Sequence, residues 1–116
     1  MNRIFGRLFT VFVSASIPAS AGAANFVCTA SPVIYLAAGG DGTIYTAVDG
    51  KVVGICNLGS QVGGVSSQAC TGWYSALLTQ RSLGKTVTLQ FDNPGLSGCA
   101  AIGAWTVTVP YFLIQN

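Results

Sequence analysis

Residues 55–92, ICNLGSQVGGVSSQACTGWYSALLTQRSLGKTVTLQFD, constrain the fold of this chain more than any other stretch. They read as the end of a strand, a Gly/Ser loop, an amphipathic helix, a glycine stop and an alternating strand. Cys56 and Cys70 flank the loop. Ser66 or Ser67 is the expected N-cap, because a hydroxyl oxygen accepts a bond from the free N–H groups of a first helical turn. From there Ala69, Cys70, Trp73, Leu77 and Gln80 fall on one side, with Tyr74, Leu78 and Arg81 extending it. The helix is expected to run to about Leu83, with Gly84 as the residue that ends it. Residues 85–92 then alternate, with Val87, Leu89 and Phe91 inward and Thr86, Thr88 and Gln90 outward.

The flanking segments read as strands. Residues 26–37 form a first strand interrupted at Ser31-Pro32, where a proline implies an edge, a bulge or a bend. Gly39-Gly40-Asp41-Gly42 is a turn. Residues 43–48 and 51–57 are two short runs separated by Asp49-Gly50, a strong hairpin signal because a type I′ turn needs positive φ at both central residues. After Asn93-Pro94-Gly95, residues 103–113 (GAWTVTVPYFL) read as a last strand with Trp105, Val107 and Val109 on one face. Both tryptophans are expected in the core, Trp73 between the helix and the strands. Three strands, a helix and two strands is the element order of a small five-stranded Greek-key barrel of the OB-fold type. The expected fold class is therefore mainly β, with one helix between strands 3 and 4.

The first residues carry a different signal. Arg3 and Arg7, the short apolar run 8–17, Pro18 and then Ala21-Gly22-Ala23 follow the order of a secretory signal peptide. The run is too short to span a bilayer of roughly 30 Å. Residues 1–23 are read as a cleaved signal, and residues 24–116 as one exported domain, periplasmic or secreted. That domain carries Lys51, Arg81 and Lys85 against Asp41, Asp49 and Asp92, a balance near zero. So little charge leaves no electrostatic footprint for nucleic acid, and nothing after the signal suggests membrane insertion. Cys28, Cys56, Cys70 and Cys99 make an even set in a small exported domain, which reads as a disulfide framework. A structural zinc site would want short Cys pairs or histidine. The chain has no histidine, so no metal and no cofactor is expected.

Catalytic groups are scarce. There is no histidine or glutamate, and the three aspartates stand mostly in turn contexts, where they bond to nearby backbone. Gly95-Leu96-Ser97-Gly98-Cys99 lacks the final glycine of a nucleophile elbow and has no histidine to serve as base. Gly84-Lys85-Thr86 lacks the upstream glycine of a phosphate loop and follows a helix instead of a strand. The sequence therefore points away from an enzyme.

The Cys56–Cys70 loop, Trp73 and Leu77-Leu78 in the helix, and Gly84-Lys85-x-Val87 entering the next strand resemble a segment of small exported bacterial proteins. These are similar to the B subunits of AB-type toxins, of the subtilase-cytotoxin and typhoid-toxin type. The resemblance implies an OB-fold barrel, assembly into a homo-oligomeric ring of five and non-catalytic binding of cell-surface glycans. It does not carry over the glycan-contacting residues, so Tyr35 and Tyr45, as outward tyrosines able to stack on a sugar or a neighbour, are the candidate ligand-binding residues. In an OB barrel the first strand runs antiparallel to the fourth, which leads to Cys28–Cys99 and Cys56–Cys70 as the expected disulfides. The second function class is a stand-alone periplasmic or secreted interaction protein with no toxin partner.

Overall fold

The computed structural model describes residues 25–116; the signal peptide expected over residues 1–23 lies outside them. Five strands and one long helix follow in the expected order. They are β1 (Asn25–Ala38), β2 (Thr43–Val48), β3 (Lys51–Asn57), α1 (Ser67–Leu83), β4 (Val87–Asp92) and β5 (Phe112–Gln115), with a short 3-10 turn at Cys99–Ala101. The strands form one antiparallel sheet in the order β3-β2-β1-β4-β5.

Local chemistry accounts for most of these elements. Asp49 (φ 51°) and Gly50 (φ 77°) both take positive φ between β2 and β3, as a type I′ turn requires. Ser66 caps the helix, its hydroxyl accepting the Ala69 N–H at 3.0 Å. Gly84 ends it in the left-handed region at φ 66°, its N–H and that of Lys85 closing on the carbonyls of Arg81 and Gln80. The break at Pro32 is a large bulge. Ser31 pairs with Ala47 and Leu36 with Thr46, so residues 32–35 face no partner in β2. Pro32 is buried, Val33 and Ile34 point to solvent, and the Tyr35 carbonyl is held by the Thr46 hydroxyl at 3.0 Å.

The core lies between one face of the sheet and the helix. Ile44, Val53, Ile55, Val87, Leu89 and Phe91 come from three strands, and Leu77 from the helix enters among them. The inward set of β4 is the expected one. The helix packs mainly on β1, with lesser contacts to β3 and β5. Gln80, read as part of the apolar stripe, is buried as a polar anchor. Its amide donates to the carbonyls of Thr86 and Asn116, both at 3.1 Å, and ties the chain's end to the helix.

Two disulfides complete the frame. Cys28–Cys99 and Cys56–Cys70 are both present, as expected, with Cα separations of 5.8 and 5.6 Å. The first joins β1 to the turn after β4, and the second joins the end of β3 to the first turn of α1. On the chain-entropy account, closing the shorter loop contributes about 3 kcal/mol. Such a frame belongs to a non-reducing environment. Among the described residues, no helix is long and apolar enough to cross a membrane.

The structure corrects the end of the chain. Residues 103–113 do not form one strand: β5 begins only at Phe112. Pro110 has no N–H to donate to a ladder, and Trp105 takes φ 62°, far from extended backbone. Residues 105–108 instead run parallel to β3. Trp105 N–H donates to the Val52 carbonyl at 2.6 Å, Gly54 N–H to the Thr106 carbonyl at 2.8 Å, and Thr108 N–H to the Gly54 carbonyl at 2.8 Å. Trp105 is accordingly 63% exposed, not a core residue, and Val107 is exposed beside it.

Trp73 packs against the core but is only partly buried, whereas Leu77 is fully enclosed. Leu77→Ala should therefore cost about 3–4 kcal/mol and Trp73→Ala about 2–3, below the value for a fully buried ring. Denaturant melts of the two oxidised variants check the order, and a larger loss at Trp73 would overturn it.

Candidate binding platform

The bulge in β1, the start of β2 and the segment after the 3-10 turn converge at one place on the outside of the sheet. Each delivers one aromatic side chain. Tyr35 leaves the bulge, Tyr45 stands on β2, and Trp105 comes from the segment laid against β3. The Trp105 ring lies 5.9 Å from both tyrosine rings, edge-on to Tyr35 at 85° and tilted by 55° to Tyr45. The two candidate tyrosines thus sit in one cluster, both half-buried, with Trp105 as its most exposed member.

Gly54 makes room for this arrangement. A β-carbon there would stand 3.2 Å from the Tyr45 ring and 3.1 Å from Val107 Cγ2. The bare backbone lets Tyr45 and the parallel segment lie flat on β3. Each edge or tilted ring pair adds roughly 0.5–1.5 kcal/mol beyond its buried area. The left-handed conformation of Trp105 acts against this, since αL backbone at a bulky residue costs about 1–3 kcal/mol. Strain of that size at an exposed tryptophan is a feature of functional sites more than of scaffolds.

A carboxylate borders the Tyr45 side. Asp41 accepts the Thr43 N–H and the Thr43 hydroxyl, one on each oxygen and both at 3.0 Å. These bonds, the backbone one foremost, hold its carboxyl below the ordinary carboxylate value. Gly39 lies between acid and ring: a β-carbon there would be 3.0 Å from Asp41 Oδ1 and 3.3 Å from Tyr45 Cε2. The aspartate makes the local turn bonds expected of it. An ionised carboxylate offers about four lone-pair sites, so acceptor capacity remains beyond the two Thr43 bonds.

Among the described residues there is no pocket, so a ligand would meet these rings on an open surface. The described residues hold no cluster of three or more His, Cys, Asp or Glu side chains, and all four cysteines are in disulfides. A second apolar surface lies on the other half of the sheet. Val27, Gln90 and Phe112 stand in one cross-strand row of β1, β4 and β5, and Thr29, Thr88 and Ile114 in the next. Val27, Phe112 and Ile114 are exposed there, and Tyr111 packs edge-on against Phe112 with ring centroids 4.4 Å apart.

Sequence reasoning singled out Tyr35 and Tyr45 as candidates but placed Trp105 in the core, and so missed that it lies beside them. Gly103 and Pro110 on either side of Trp105 were the available signal against a regular strand. Comparison with protein-family models, curated proteins and solved structures finds no match to this chain.

If Trp105 is strained, glycine should relieve the strain and alanine should not. Trp105→Gly is expected to be more stable than Trp105→Ala by about 1 kcal/mol, against the usual penalty for glycine. Equal stabilities in urea melts would show that the backbone at this position is unstrained.

Proposed function

We propose that this chain is a non-catalytic, exported binding module of OB-barrel type, whose aromatic platform receives a glycan. The observation that carries the reading is the Tyr35–Tyr45–Trp105 cluster, two half-buried tyrosines beside an exposed tryptophan. Aromatic faces of this kind stack on the apolar face of a pyranose ring, while a flanking carboxylate such as Asp41 accepts its hydroxyls. The barrel is supported by the meeting of the two ends of the sheet. Residues 105–108 bond in parallel to β3 before the chain continues into β5, a contact that would become the closing seam of such a barrel. Export is supported by the disulfides and by the expected signal over residues 1–23. The B-subunit resemblance supplies the glycan class and the ring.

The β1–β4–β5 surface favours assembly. A near-neutral domain with Val27, Phe112 and Ile114 exposed in adjacent rows has an apolar face fit for another copy or another exported protein. Without a toxin partner, the same surface serves a stand-alone interaction protein.

The mature, oxidised protein on a glycan array tests the main reading. Retention of a defined set of glycans is expected, with roughly tenfold or greater loss in Trp105→Ala, the size of a tryptophan hot spot. Light scattering on the same sample should give a mass several times that of one chain. A monomer that retains no glycan would leave only the stand-alone reading.

A further inference from the structure

The platform depends on a segment with little packing of its own. Between the Cys99 disulfide and Thr106, only Ile102 is buried; Ala100, Ala101, Gly103, Ala104 and Trp105 are not. Apolar burial alone does not hold these residues in one conformation. A strained backbone at Trp105 would relax unless both ends of the segment were fixed.

We infer that Lys51 is a positioning residue for the platform: its ammonium gathers two backbone carbonyls of this segment and thereby sets the Trp105 ring between Tyr35 and Tyr45. The inference rests on the platform reading and adds to it a residue that touches no ligand. Lys51 Nζ donates to the Ala100 carbonyl at 2.9 Å and to the Ile102 carbonyl at 2.6 Å. These carbonyls lie at the end of the 3-10 turn, where the helical pattern supplies no further N–H donor. A charged donor makes stronger bonds to them than a neutral one. The next residue along β3 completes the hold, because the Val52 carbonyl takes the Trp105 N–H at 2.6 Å. Lys51 and Val52, adjacent in sequence, therefore grip residues 100–105 at both ends. Thr106 tightens the span between, its hydroxyl donating to the Gly103 carbonyl at 2.6 Å.

The chemistry distinguishes this role from that of a solvated surface charge. Methionine would match the aliphatic stem but would leave both carbonyls without their donor. Arginine keeps the charge and offers several N–H groups for the same two acceptors. Glutamine is neutral and one methylene short.

Fluorine NMR of the oxidised protein labelled with 5-fluorotryptophan tests the inference directly. The chain has two tryptophans, so two lines are expected, one from Trp73 and one from Trp105. In Lys51→Met the Trp105 line should shift and broaden while the Trp73 line stays in place, and Lys51→Arg should restore it. A Trp105 line unmoved in folded Lys51→Met would overturn the inference, as would a shift that Lys51→Arg does not reverse. Should Lys51→Met fail to fold, Lys51→Gln against Lys51→Arg decides: displacement in the first alone supports the clamp, and identical spectra overturn it. No sugar is present in this measurement. Its failure is therefore distinct from a failure of glycan retention on the array.

Discussion

Two hydrogen bonds at Gly54 join the end of the chain to the edge of β3, and much of the molecule depends on them. They occupy backbone groups that an edge strand would leave open. They also fix the direction in which residues 105–108 travel before β5 returns beside β4. A side chain at position 54 would push on Tyr45 and Val107 together, so one glycine permits both the join and the platform. Scaffold and candidate site thus share one constraint, and a change that loosens the first would disperse the second.

The rest of the fold compensates for a small core. A domain of this size buries too little apolar surface for a wide margin of stability. The two disulfides hold the chain beside its irregular segments. Cys56–Cys70 holds the Gly/Ser loop between β3 and α1, and Cys28–Cys99 holds the turn from which the Trp105 segment departs. Gln80 does similar work at the other end, gathering the Thr86 and Asn116 carbonyls in a buried setting where unpaired polar groups would be costly.

Regular structure was legible wherever a residue's own chemistry decides its conformation. The Asp49-Gly50 hairpin, the Ser66 cap, the Gly84 stop and the alternation of β4 all follow from local rules, and the structure has them. The bend at Pro32 was legible as a bend, but not as four unpaired residues that turn Tyr35 outward, because the partner strand sets the size of a bulge. The last segment was misread for a related reason. Trp105, Val107 and Val109 alternate as a strand should, yet alternation cannot reveal that the bonding partner is β3, roughly fifty residues upstream, in a parallel sense. Lys51 entered the sequence reading only as a charge, because its acceptors are backbone carbonyls, which leave no trace in a pattern of side chains.

The geometry of the platform also bears on how such a protein would act. Three rings on an open surface enclose little of a ligand, so one platform would hold one sugar weakly. Weak sites become effective when several are presented together, because each engaged site raises the local concentration for the next. The two apolar surfaces stand on different halves of the sheet, the aromatic cluster by β1–β2–β3 and the Val27–Phe112–Ile114 rows by β1–β4–β5. Burying the second against a neighbouring copy would leave the first facing outward on every subunit. On the proposed reading, assembly and binding would be two parts of one device: the apolar rows would supply the multiplicity that an open aromatic platform needs.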